Sequence, residues 1–151
     1  MGQFSAIMRT LGMQLGFYDG ADFKTARYCD PIVDTWADVV GACGGVAFAG
    51  DDEAKMAACA KLMEICGKFN GLIEKTLAHH KGKFAAGAKM TCADFVLASY
   101  CSNILMNPLN PVNAGMVGGE LAKTPMLKAY CDNRETVFPH LVARGPVATP
   151  F

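Results

Sequence analysis

A hydroxyl and a carboxylate three residues apart, Thr91 and Asp94 in the stretch MTCADFV (90–96), are two thirds of what a hydrolytic triad needs. The remaining third is a histidine, and the chain offers only His79, His80 and His140. Asp34 and Asp38, one helical turn apart, could form an acid–base pair of carboxylates. The adjacent histidines and the seven cysteines raise metal and redox chemistry. Each of these groups also has a purely structural use, and the elements that carry them decide between the two.

Thr91 stands immediately before an apolar run, Phe95, Val96, Leu97, Tyr100, Ile104 and Leu105. A threonine at that place accepts from the backbone N–H three residues on, while the residue there reaches back to the N–H of the threonine. Met90 and Phe95 occupy the two positions of a hydrophobic staple. The spacing therefore predicts a helix cap and no triad. Asp34 and Asp38 share one helix face, and nothing around them raises either pKa, so an acid–base pair is not expected. His79 and His80 point about 100° apart on a helix, and no cysteine or carboxylate stands near them at ligand spacing. They read as solvated cations at a helix C-terminus, with no metal.

The cysteines, at 29, 43, 59, 66, 92, 101 and 131, are odd in number and include no C-x-x-C. Most fall within helical segments, where a free thiol packs as a small apolar residue. The expectation is a reduced chain in the cytoplasm.

The elements holding these residues are helical throughout. Ile7, Met8, Leu11 and Leu15 form a stripe that stops near Gly16, and Ile32, Val33, Trp36, Val39, Val40 and Cys43 form a second. Asp30-Pro31 interrupts the second run, predicting a start or a kink there. GACGGVAFAG (41–50) reads as a glycine-rich loop without a phosphate-binding motif. A third run opens on Asp51, Asp52 and Glu53 and closes on His79, His80 and Lys81 before Gly82, matching the helix dipole at both ends. Beyond the helix that starts near Thr91, NPLNPVNAGMVGG (107–119) is a loop. One more helix follows, capped by Thr124 with Pro125 at its first position, and HLVARGPVATPF (140–151) is a proline-broken tail. With no strand signal and no internal repeat, the fold class is all-α, a helical bundle.

The composition agrees, since 52% apolar against 19% charged residues suits one well-buried domain. Fourteen basic and fourteen acidic residues cancel, which argues against nucleic acid and anionic membranes as partners. No apolar stretch is long enough for a membrane span.

Four segments in order resemble the C-terminal helical domain of cytosolic glutathione S-transferases, of the sigma-like kind. They are GQFSAIMRTLG (2–12), IVDTWADV (32–39), FAAGAKMTCADF (84–95) and ARGPVATPF (143–151). The resemblance implies that residues 1–18 are the last helix and linker of a thioredoxin-like domain and that 19–151 form the helical domain. It implies no cofactor, glutathione being a substrate. Gln3 takes the place of the residue meeting the γ-glutamyl part of glutathione, but the family's following serine is Phe4, which keeps a backbone donor and loses the hydroxyl. Asp38 matches a carboxylate that crosses to the partner's glutathione, and Arg9 with Asp34 matches a dimer contact between two copies. Phe48 and Phe151 stand where an apolar co-substrate would lie.

The family's thiol-activating residue belongs to the other domain, and nothing in this chain replaces it, so no catalytic residue is assigned. Two functions follow: a glutathione transferase if the other domain exists in the full protein, or a non-catalytic transferase-like subunit for dimerisation or docking. Either implies a homodimer or a protein partner covering an apolar face.

Overall fold

The computed structural model describes residues 3–81, 83–109 and 118–145, and all the regular elements among them are helices. Helix α1, Phe4–Leu15, ends where Gly16 adopts φ 78°, a left-handed conformation that glycine takes without strain. Helix α2, Phe23–Ala47, starts at Asp22, whose carboxylate accepts from the Thr25 N–H at 3.3 Å. It runs through both places where the sequence predicts an interruption. Pro31 lies inside it, and Gly41, Gly44 and Gly45 fail to end it. Residues on both sides of each weak point are fully sunk in the core: Cys29, Ile32 and Val33 around the proline, Cys43 and Val46 around the glycines. Tertiary burial outweighs local propensity here.

Helix α3, Asp52–His80, is capped by Asp51, which accepts from the Ala54 N–H at 2.8 Å. It lies along α2 in the most extensive pairing of the fold. Helix α4, Cys92–Tyr100, is apolar on nearly every side and crosses the centre, continuing as a π-helical turn over Cys101–Leu105. Tyr100 is its anchor. The ring packs against Trp36 and Phe69, and its hydroxyl donates to Asn70 Oδ1 at 2.7 Å.

The short helices α5 (Gly118–Leu121), α6 (Pro125–Asp132), α7 (Arg134–Val137) and α8 (Pro139–Arg144) complete the described chain. Where one helix is expected beyond Thr124, a turn at Asn133 separates α6 from α7, and the expected tail is helical to Arg144. Asp-Asn-Arg offers no apolar residue to bury at the turn, whereas Leu141 and Val142 are half-buried. Pro125 does sit in the first turn of α6, but the Thr124 side chain makes no capping hydrogen bond to it, and a carboxylate from another helix serves that end. Glu74 of α3 accepts from the N–H groups of Met126 and Leu127 at 3.0 and 2.9 Å. The Thr124 hydroxyl donates to the Leu121 carbonyl oxygen at 3.2 Å.

The cysteines need one correction. Cys101 and Cys131 are joined as a disulfide, their Cα atoms 5.6 Å apart, tying the π-helical turn to α6. The other five are free, and four of those are buried. Both partners of the bond lie in helical, apolar stretches, so spacing alone gives no sign that the fold brings them together.

Candidate functional site

Thr91 and Asp94 form a capping box at the start of α4. Asp94 is fully buried and does more than cap. One carboxylate oxygen accepts from the Thr91 N–H at 2.8 Å and the Thr91 hydroxyl at 3.2 Å. The other accepts from the Ala85 N–H at 2.8 Å and the Tyr130 hydroxyl at 3.0 Å. Burial pushes the carboxyl up from its ordinary range against the opposing pull of these donors. With every oxygen engaged and no histidine in the set, the group holds the 84–91 loop, α4 and α6 together.

The remaining candidates lie on α1 and the first half of α2. Arg9 donates through Nε to Asp30 Oδ1 at 2.9 Å and through Nη2 to Asp34 Oδ2 at 2.7 Å. The Tyr18 hydroxyl donates to the second Asp30 oxygen at 3.0 Å. The Arg9–Asp34 contact therefore forms within one chain, where the sequence reading puts it between two copies. Asp34 is exposed, and although the little desolvation it suffers would raise its pKa, hydrogen bonds from Arg9 and Ser5 prevail and hold it below the ordinary range. Phe4, at the start of α1, is 38% exposed, on the same helical stripe as the exposed Leu11 and Leu15.

Gln3 precedes α1 in extended conformation, exposed, with no side-chain hydrogen bond to the helix it opens. Asp38 is exposed on α2, on the wall of a groove of about 510 Å³ between α2 and α3. Small residues (Gly41, Ala42, Gly45 and Ala58) shape that groove, and Lys61 and Lys68 also line it. Phe48, at the C-terminal end of α2, is 88% exposed. Phe151 lies outside the described residues. Trp36, by contrast, is core.

A larger groove of about 720 Å³ runs between the end of α1 and the loop before α4, lined by Met13, Phe17, Tyr18, Lys89 and Met90 among others. The sequence reading missed it because its two walls are far apart in the chain.

His79 is exposed and His80 half-buried, and both meet the ring of Tyr28. Tyr28 stacks on His79, shares a hydrogen bond of 2.8 Å with its Nε2 and meets His80 edge-on. Burial, with His79 beside it, pulls the His80 pKa down. Among the buried thiols, Cys43 is pushed up to about 12 by burial and Cys66 is also raised by it. The hydrogen bond with Cys92 and burial hold Cys29 far up as well. These three are protonated at neutral pH and not nucleophilic.

Comparison with known proteins agrees with the architecture. The family model described as glutathione S-transferase, C-terminal domain, matches residues 37–136. The solved structure of NaGST-2, a nematode glutathione S-transferase, superposes with a TM-score of 0.70 at 24% identity, covering 100% of this chain and 71% of that one. No curated protein gives a significant match. No helix among the described residues is long and apolar enough to cross a membrane. With two thirds of its length inside the family match and an all-helical fold around the capped central helix, the chain belongs to the glutathione S-transferase C-terminal domain family.

Proposed function

We propose that this chain is the helical half of a glutathione transferase that conjugates glutathione to electrophilic substrates when a thioredoxin-like half completes the site. The observation that carries this reading is the state of α1. The Arg9 network fixes it to α2, while Phe4, Leu11 and Leu15 remain exposed along one stripe. Such a face suits a second domain packed against it. On this reading residues 1–18 belong to the far end of that domain and 19–151 to the helical one.

The chemistry is attack of the glutathione thiolate on an electrophilic carbon, with the thiol proton lost beforehand. A hydrogen bond from the other half lowers the thiol pKa. Gln3 orients the γ-glutamyl group, and Phe48 and Phe151 contact the apolar co-substrate, so this chain contributes positioning. Asp38 reaches the partner's glutathione in a homodimer, with Arg9 and Asp34 near the two-fold axis. The compartment is the cytoplasm. Cys101 and Cys131 are fully buried there, out of reach of an attacking thiolate.

Phe4 favours a second reading, a non-catalytic dimerisation or docking subunit, because the hydroxyl that would hold the γ-glutamyl carboxylate is gone. The test is an intact mass of the protein as isolated from its source, followed by calorimetry with glutathione and a conjugation assay with chlorodinitrobenzene. A mass above 16.1 kDa with saturable glutathione binding and turnover supports the enzyme. Absence of glutathione binding by the native protein at millimolar concentration overturns it in favour of the docking subunit.

A further inference from the structure

The π-helical turn after α4 meets α7 and α8 around a small cavity of about 250 Å³. Turns of this type recur at functional sites. Ser102 of the turn and Arg134 of α7 line the cavity, together with Met106, Pro108, Leu141 and Val142. Ser102 Oγ and Arg134 Nε are both buried and, among the described residues, make no hydrogen bond. Arg134 Nη1 donates to the Met106 sulfur at 3.0 Å and to the Cys131 carbonyl oxygen at 2.9 Å, neither of them an anion. Among the described residues Arg134 takes part in no ion pair, unlike Arg9 with its two carboxylates.

A second guanidinium, Arg144 of α8, donates to Asn103 Oδ1 of the same turn at 3.0 Å. Two cations thus converge on one turn, and among the described residues the cavity wall holds no carboxylate. Arg134 is half-buried, with its Nε wholly so; a buried donor without an acceptor is costly, and the planar fork of a guanidinium matches a carboxylate. The rest of the wall is chiefly apolar, so the anion that fits has a short apolar body, smaller than the ligands of ordinary drug-sized pockets.

We infer that this cavity binds the carboxylate of a small apolar acid, a short-chain fatty acid or a simple aromatic acid. Arg134 pairs with the carboxylate, and the Ser102 hydroxyl donates the second hydrogen bond. The site uses residues outside the proposed glutathione-binding set and stands or falls independently of it.

The test is calorimetry on the full chain at neutral pH with sodium hexanoate, and with inorganic phosphate at matched ionic strength. Saturable heat is expected from hexanoate and none from phosphate. Arg134→Gln should weaken hexanoate by about tenfold or more, the scale of one lost charge-assisted hydrogen bond. Ser102→Ala should weaken it by a smaller factor. Leu141→Trp, which fills the cavity and touches no charge, should abolish binding with the helical circular dichroism retained, so the outcome does not depend on Arg134→Gln folding. No saturable heat from hexanoate, equal binding of phosphate, or unchanged affinity in Leu141→Trp overturns the inference.

Discussion

Asp94 and Tyr130, 36 residues apart, meet in the core through a hydrogen bond of 3.0 Å from the tyrosine hydroxyl to the carboxylate that also caps α4. A helix cap ordinarily serves the one helix it starts. Here the same two oxygens also hold the Ala85 amide of the preceding loop, so the cap joins three segments.

Asp94→Ala removes the acceptor of several buried donors at once and should cost about 3–5 kcal/mol, each orphaned donor adding its desolvation penalty. Asp94→Asn, with one carbonyl oxygen, should fall between that variant and the wild type. Tyr130→Phe should cost only about 1 kcal/mol. Urea denaturation of the three variants gives the ranking, and equal losses in Asp94→Ala and Tyr130→Phe would show that the carboxylate acts through the tyrosine alone.

This hub marks how far the sequence can be read. The cap was legible because it is local, with Thr91 and Asp94 three residues apart before an apolar run. The same holds for Gly16 ending α1 and Asp51 opening α3. The Ala85 and Tyr130 contacts were not legible, because they depend on which segments the fold brings beside Asp94. Glu74 at the start of α6 and the Cys101–Cys131 bond were hidden for the same reason. The glycines at 41, 44 and 45 misled in the opposite sense. Their local preference points to a loop, and the burial of Cys43 and Val46 overrides it. Of the candidate site, Arg9 and Asp34 were identified by type, but whether they meet within a chain or between two depends on how α1 docks.

The Arg9–Asp34 pair should make α1 sensitive to acid. The folded pKa of Asp34 is depressed, so its contribution is fully present above the unfolded carboxylate value, about 4. It is lost as pH falls through the lower folded value. The Asp34 side chain is 55% exposed, so solvent screening keeps the effect small, under about 1 kcal/mol. Amide exchange in α1 should accelerate below about pH 4 relative to α3. Asp34→Asn should show fast α1 exchange already at neutral pH and a weaker acid response.

The Cys101–Cys131 bond ties α6 to the π-helical turn at the end of α4. Replacing Cys131 with serine should lower stability by about 2–4 kcal/mol. The native protein should lose a similar amount after reduction in denaturant and refolding under a thiol. Mass spectrometry of the unreduced and alkylated protein gives the direct check. Five alkylated cysteines support the bond, and seven show that both residues are free thiols.

At Gly12, a buried residue, α1 packs closely on the start of α4. A Cβ at this position would collide with the Cys92 sulfur and lie 2.8 Å from Tyr18 Cβ. Neither neighbour is free to yield. The Cys92 sulfur donates to the Met8 carbonyl oxygen at 3.3 Å, its amide donates to the Phe17 carbonyl oxygen at 3.1 Å, and Tyr18 is held by Asp30. In a solvated helix, alanine would be better than glycine by about 1 kcal/mol. Here overpacking should reverse the sign and leave Gly12→Ala less stable by about 1–3 kcal/mol. Cys92→Ala in the same background removes the worse collision and keeps the Tyr18 contact, so it should restore part of the loss. A double-mutant cycle by thermal denaturation measures that coupling. Additive effects would mean that α1 docks on α4 more loosely than the Gly12–Cys92 approach requires.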